Sequence, residues 1–332
     1  MAGQRVIYSY TGLTPPAGLL SLISQGEAAG VVFFGDNISS DAQIRAVIQA
    51  LEQAAASPQN PVKAPLLLMT DQEGGEVRRL SGAPLLSERQ IAESTDPAAQ
   101  ATKAGTGAGS NLSAVGMNVN LAPVLDVHRR AGDFADQYGR SYSMNPDVVS
   151  KLGADFIRAQ QRLGVAATAK HFPGLGAASL SQDTDVRPVT LTVTPHSLSA
   201  IDESPYKAAI AAGVQLVMVS WAVYPALDPG VPAGLSSAIV QGQLRDQFHF
   251  RGVTITDALE AGALQAFGTS QHRAVLAAGA GMDLILCSAG DVSEGEQARD
   301  GLEGGYLDGT LGKSAFQAAT QRVIDLRLSL GS

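Results

Sequence analysis

Residues 166–185 read Ala-Ala-Thr-Ala-Lys-His-Phe-Pro-Gly-Leu-Gly-Ala-Ala-Ser-Leu-Ser-Gln-Asp-Thr-Asp. A short apolar run ends in adjacent Lys170 and His171, and Pro173, Gly174 and Gly176 then turn the backbone. A small, flexible stretch follows and leads to two carboxylates, Asp183 and Asp185. A buried strand that delivers polar groups to a ligand site and opens into a loop has this form. Two other runs share it, Leu-Leu-Leu-Met-Thr-Asp at 66–71 and Gly-Val-Thr-Ile-Thr-Asp at 252–257. Three apolar strands that each end in polar groups imply one shared site.

Working outward, eight candidate strands fall at 6–9, 31–34, 66–69, 117–121, 165–169, 214–219, 253–256 and 283–287. Most are continuous Val/Ile/Leu-rich runs without polar alternation, the pattern of a sheet covered on both faces. Helical stripes lie between them: Ile44, Val47, Ile48 and Leu51; Val149, Leu152, Phe156, Ala159 and Leu163. A shorter stripe, Val240, Leu244 and Phe248, begins after the capping candidate Ser236, and Phe316, Ala319, Val323, Leu326 and Leu330 close the chain. Strand followed by helix, eight times over 332 residues, predicts a single α/β domain over 1–332, a (β/α)₈ TIM-type barrel with its site at the C-terminal ends of the strands. A doubly wound open sheet is the alternative, but no dinucleotide fingerprint supports it: Gly105, Gly107 and Gly109 sit in an Ala/Ser-rich segment rather than directly after a clear strand. The stretch 126–147, with Asp126, His128, Asp133, Tyr138 and Arg140, reads as a long loop that helps build the site. Residues 288–312, rich in Gly and acidic residues, read as surface loop before the final helix.

The formal net charge of −8 and a charged fraction of 16% argue against nucleic acid as a partner, since no basic run exists to track a phosphate backbone. Cys287 is the sole cysteine, which excludes an internal disulfide, and its apolar surroundings predict a buried, inert thiol. No stretch reaches the roughly 18–20 apolar residues of a membrane span. The chain therefore reads as cytoplasmic, or as secreted or cell-surface if an export signal has been removed, and as a monomer rather than an obligate oligomer.

Asp257 ends the seventh strand. It reads either as a helix cap before the helical pattern 258–266 or as a strand-top carboxylate suited to nucleophilic attack or metal binding. Asp71 opens Asp-Gln-Glu-Gly-Gly and can accept two hydroxyl hydrogen bonds from a sugar, while Glu73 reads as structural. Lys170 and His171 predict a polar ligand contact. Arg140 can fork onto a substrate acceptor or anchor its own loop. Trp221, directly after the sixth strand, can stack on a sugar ring or cap the barrel rim. Asp183 and Asp185 otherwise form an exposed acidic turn. His128, His171, His196, His249 and His272 show no paired ligand spacing, so neither a metal nor a cofactor is expected, and no GxSxG elbow suggests a serine hydrolase.

These motifs together resemble glycoside hydrolase family 3, in its single-domain bacterial β-N-acetylhexosaminidase branch. The resemblance is carried by Val-Val-Phe-Phe-Gly at 31–35 with Asn37, Asp-Gln-Glu-Gly-Gly-Glu-Val-Arg-Arg-Leu at 71–80 and Leu-Ala-Pro-Val-Leu-Asp-Val at 121–127. It continues through Tyr-Gly-Arg-Ser-Tyr-Ser at 138–143, Lys-His-Phe-Pro-Gly at 170–174, Tyr-Pro-Ala-Leu-Asp at 224–228 and Gly-Val-Thr-Ile-Thr-Asp-Ala-Leu at 252–259. The resemblance implies that Asp257 is the nucleophile and that Asp71, Arg140, Lys170 and His171 bind the first sugar. It also implies an acid/base His with a nearby Asp in the loop after Lys-His-Phe-Pro-Gly. Here Leu175 replaces the second His of that turn, and Asp183-Thr184-Asp185 ends the loop, with Asp185 where the His is expected. Trp221 likewise stands where relatives have His. This departure resembles an actinobacterial branch that lacks the usual His. The implied activity is retaining exo-β-N-acetylglucosaminidase action on small glycans or cell-wall fragments. The alternatives are a weakly active or inactive sugar-binding or regulatory protein of the same fold, or a β-glycosidase with another sugar preference.

Overall fold

The computed structural model describes residues 1–331. Eight parallel strands alternate with helices in chain order: β1 (Val6–Tyr8), α1 (Ala17–Ser24), β2 (Gly30–Val32), α2 (Asp41–Ala55), β3 (Leu67–Thr70) and α3 (Pro97–Val115). The series continues with β4 (Val119–Asn120), α4 (Pro146–Gln161), β5 (Ala166–Phe172), α5 (Ser204–Ala211), β6 (Leu216–Val219) and α6 (Ala238–Gln247). It ends with β7 (Val253–Thr256), α7 (Ser270–Ala280), β8 (Ile285–Leu286), α8 (Val292–Asp308) and an additional α9 (Lys313–Ser329). Each strand pairs with its sequence neighbour, β1 pairs with β8 through Val6–Ile285 and Ile7–Leu286, and an Ile255–Leu284 bridge joins β7 to β8. The sheet is a closed (β/α)₈ barrel, and every predicted strand is present within a few residues of its expected ends.

Closure explains the apolar strands. Ile7, Met69, Leu216, Met218 and Ile255 pack inside the barrel, and their strand neighbours Tyr8, Leu68 and Val217 pack outward in the cluster shared with the helices. Both faces are dry, so successive residues are apolar. Burying each such side chain contributes about 1.5–3 kcal/mol. Val323 and Leu326 of α9 join the inner cluster, so this helix stops one end of the barrel. Its Arg327 bonds to the Ala64 and Pro65 carbonyls and to the Gln4 side chain.

The Ala/Gly/Ser-rich stretch, for which the sequence set no helix bounds, is helix α3, capped by Asp96, whose carboxylate accepts the Ala99 N–H. Its Gly105 lies where a Cβ would come within 2.3 Å of the Phe156 carbonyl oxygen, so small residues here serve close packing on α4. Residues 292–308, expected as loop, form α8, with Asp291 accepting the Ser293 N–H. Its Gly295 meets the ring of Tyr8, again a contact that only a missing side chain permits. The expected cap at Ser236 is present, since its hydroxyl accepts the Ile239 N–H at the start of α6. Cys287 is buried. Among the described residues no helix is long and apolar enough to cross a membrane.

Candidate active site

A cleft of about 670 Å³ opens beyond the C-terminal ends of the strands, and Asp71, Arg140, Lys170, His171, Asp185 and Asp257 all line it. The chain thus gathers groups separated by as many as 186 residues in sequence, Asp71 and Asp257 among them, at one barrel mouth. Asp183 and Trp221 do not line it.

One wall is a closed ionic network. β3 ends just before Asp71, and a short hairpin (Gln72–Gly74 with Val77–Arg78) turns through Gly74 and Gly75, which have φ of 131° and 58°. That turn places Glu73 in the interior, 1% exposed. Arg140 donates to both Glu73 oxygens at 2.9 Å, and Lys170 Nζ lies 2.8 Å from both Glu73 Oε1 and Asp71 Oδ1. Burial alone would raise Glu73, but Arg140 and Lys170 outweigh it and hold its carboxyl at about 2. Burial opposes the charge on Lys170 too, yet Asp71 and Glu73 win and push its affinity for the proton up. Beneath this wall Glu88 accepts the Val124 N–H at 2.9 Å, and burial followed by the charge of Glu73 raises its carboxyl well above the ordinary range.

Lys170 and His171 belong to β5 itself and are joined by a cis peptide bond. His171 Nδ1 lies 2.7 Å from Oδ2 of the buried Asp126, whose Oδ1 accepts the Leu175 N–H at 2.6 Å. A carboxylate at Nδ1 keeps the proton on that nitrogen and fixes the ring orientation. Leu175, in place of the expected His, is buried at the cleft wall.

The opposite wall is acidic and unpaired. Asp257 Oδ1 accepts the N–H of Ala258 at 2.8 Å, and among the described residues no cation pairs with it. The expected helix over 258–266 is replaced by turns and a short 3₁₀ segment at Gly262–Phe267, so Asp257 does not cap an α-helix. The loop after β5 is pinned alongside, because Gly262 donates to the Asp185 carbonyl at 2.7 Å and Ala263 to that of Thr184 at 3.0 Å. Asp183 Oδ1 accepts the Asp185 N–H at 2.9 Å, so it shapes the turn that carries Asp185. Asp185 is open to water on its outer side, but enclosure by the cleft, then the charges of Asp257 and Asp183, raise its carboxyl to about 7, against a lowering by His171.

Trp221 corrects the expectation of a sugar-stacking ring. Its side chain is 0% exposed and its indole N–H donates to the Ala258 carbonyl at 2.8 Å, so it braces the backbone behind Asp257. Three groups at the site carry no role in the sequence reading: Asp126 behind His171, Tyr138 at the mouth, and Glu260, whose carboxylate accepts the Ser288 hydroxyl at 2.8 Å. The first two lie in the 126–147 loop, whose length was the available signal; nothing in the sequence marks Glu260.

Residues 14–326 match the glycosyl hydrolase family 3 N terminal domain. Over all 332 residues the chain is 43% identical to an uncharacterized secreted glycosyl hydrolase of Arthroderma benhamiae, covering 93% of it. It is 34% identical over 298 residues to a beta-hexosaminidase of Stenotrophomonas maltophilia, an alignment that covers 87% of this chain and 85% of that one. A glycoside hydrolase family 3 beta-N-acetylglucosaminidase from a Paenibacillus species superposes with a TM-score of 0.92 at 33% identity, over 99% of this chain. The chain spans 62% of that longer protein.

Proposed function

Because the chain belongs to glycosyl hydrolase family 3, we propose that it is a retaining exo-β-N-acetylglucosaminidase acting on small glycans or cell-wall fragments, with one barrel supplying the whole catalytic site. The observation that carries the reading is the asymmetry of the cleft: a saturated ionic wall of Asp71, Glu73, Arg140 and Lys170 faces the cation-free carboxylate Asp257.

The saturated wall suits sugar hydroxyls. Asp71 accepts from them, Arg140 and Lys170 donate, and His171, its ring oriented by Asp126 at Nδ1, presents its Nε2 edge to the cleft. Asp257 is free to attack the anomeric carbon. As that bond forms, the bond to the leaving-group oxygen breaks, and the oxygen takes the proton of Asp185, leaving a glycosyl ester on Asp257. Ionised Asp185 then removes a proton from water, which attacks the anomeric carbon and releases Asp257. A carboxyl near pH 7 serves both halves of this cycle, since it is populated in both protonation states. Asp183 orients Asp185 through the backbone.

The test pairs two β-N-acetylglucosaminides, an aryl glycoside with an acidic phenol and an unactivated disaccharide, with the matching aryl β-glucoside. Turnover of both N-acetylglucosaminides, at rates well above that of the glucoside, is expected. Turnover of the acidic-phenol substrate alone supports the weakly active alternative, and equal turnover of the two aryl sugars removes the N-acetyl preference. A 5-fluoro glycosyl fluoride that keeps the 2-acetamido group should label Asp257; a label elsewhere moves the nucleophile.

A further inference from the structure

Trp221 being buried removes the aromatic platform expected at the cleft; of the aromatic residues that do line it, Phe34 and Phe134 are half-buried and Tyr138 is exposed. Tyr138 lines the mouth of the cleft with its side chain 55% exposed. An exposed tyrosine is ordinary; this one is held in the left-handed backbone region, with φ of 61°, which non-glycine residues rarely adopt. Both flanks are fixed. Two residues before it, Asp136 is buried, accepts the Gly132 N–H at 2.6 Å and pairs with Arg89. Two residues after it, Arg140 is forked onto Glu73. Between them Gly139, also left-handed, has room for no side chain, because a Cβ would lie 2.6 Å from the Ser87 hydroxyl. The ring is therefore presented to solvent by a rigid backbone rather than left on a mobile tip. The same segment touches the loop that carries Asp185, through a hydrogen bond from the Phe134 N–H to the Ala178 carbonyl at 3.2 Å.

We propose that Tyr138 is the stacking platform for the leaving-group sugar, so that the protein selects substrates whose aglycone is itself a pyranose ring. The inference rests on the glycosidase reading above, which puts the leaving group on the side of Asp185. A sugar ring presents an apolar C–H face that matches an aromatic face, and a pre-ordered ring binds it at little entropic cost. The saturated wall deeper in the cleft offers charged groups to the first sugar, whereas Tyr138 offers the second sugar a surface and no charge.

The test measures binding by calorimetry in the Asp257→Asn background, using N-acetylglucosamine and its β-1,4-linked disaccharide, for Tyr138, Tyr138→Phe, Tyr138→Leu and Tyr138→Asn proteins. Asn tolerates the left-handed backbone and Leu keeps an apolar side chain, so the loss of the ring is read in two independent ways. The expected result is that the disaccharide's affinity advantage over the monosaccharide falls about tenfold in both ring-less variants and survives in Tyr138→Phe. An advantage that stays the same in the ring-less variants, or that is absent when Tyr138 is present, overturns the proposal. Equal weakening of both sugars overturns it too, because it moves Tyr138 to the first sugar. Hydrolysis of the disaccharide by the unsubstituted protein is followed alongside: ring-dependent binding without hydrolysis refutes the glycosidase reading and leaves the platform standing.

Discussion

The two walls of the cleft hold similar carboxylates in opposite states. Glu73 is buried among cations and held at about 2, while Asp185 stands beside Asp257 and Asp183 and is raised to about 7. The first wall is finished before a substrate arrives, so it can recognise hydroxyl groups without changing its own charge. The second is left unbalanced: its negative charge suits a developing positive charge, and the same charge keeps on Asp185 the proton that the leaving oxygen takes. The same residue type thus serves recognition or chemistry according to whether its neighbours are cations or carboxylates.

The comparison is tested most severely at Asp257. Replacement by Asn keeps the shape and removes the attacking charge, and turnover on both activated and unactivated substrates should fall by about 10⁴-fold or more. Substantial activity in D257N would strip the acidic wall of its chemical role. Asp185→Asn comes next. It should cost about 10²–10⁴-fold on a disaccharide and far less on an acidic-phenol glycoside, with azide restoring the latter as the β-glycosyl azide. Equal losses on the two substrates would take Asp185 out of proton transfer. The same variant sharpens the pH contrast. In the unsubstituted protein kcat/KM on the disaccharide should decline above about pH 7 as Asp185 loses its proton, and D185N should lack that limb.

The finished wall should fail differently. Glu73→Gln leaves Arg140 and Lys170 short of a counter-charge in the interior and should cost about 3–5 kcal/mol of stability by denaturant unfolding. Folding and pH give the two walls opposite signs. Glu73 is depressed from 4.5 to about 2, so its contribution is complete above about 4.5 and is lost as pH falls toward 2. Asp185 is raised from 3.8 to about 7, so the folded state binds the extra proton and stability declines slightly as pH rises across that window, damped by its open outer side. The smallest effect on turnover is expected at Trp221→Phe, which loses one hydrogen bond to Ala258 and part of a fully buried ring, together about 1–3 kcal/mol of stability, and leaves the KM for a monosaccharide glycoside where it was. A large rise in that KM would return Trp221 to the sugar.

The barrel was legible because each strand is dry on both faces, and continuous apolar runs such as 253–256 survive in the sequence as such. The groups at strand tops, Asp71, Lys170, His171 and Asp257, were legible for a related reason: a charge that ends an apolar run has few places to go. The helices α3 and α8 were not, since their glycines answer to neighbours such as Phe156 and Tyr8 that lie far away in sequence. Trp221 was misplaced because the residue after a strand top can face the cleft or the helix layer, and one position of register decides which. Asp126 and Tyr138 were visible only as members of a long loop, and their parts depend on partners the loop meets in three dimensions.

The stopper helix α9 has a consequence for how the molecule is made. β1 finds one of its two strand partners only in β8, and Gln4 finds Arg327 across 323 positions of sequence. A ribosome delivers β1 long before β8 and α9, so that strand waits through the synthesis of the intervening barrel with one open edge. Such long-range closure is slow and leaves edges exposed to other nascent chains. Shortening the chain from within α9 should therefore show itself first as poor yield and aggregation during expression, before any defect can be measured at the cleft.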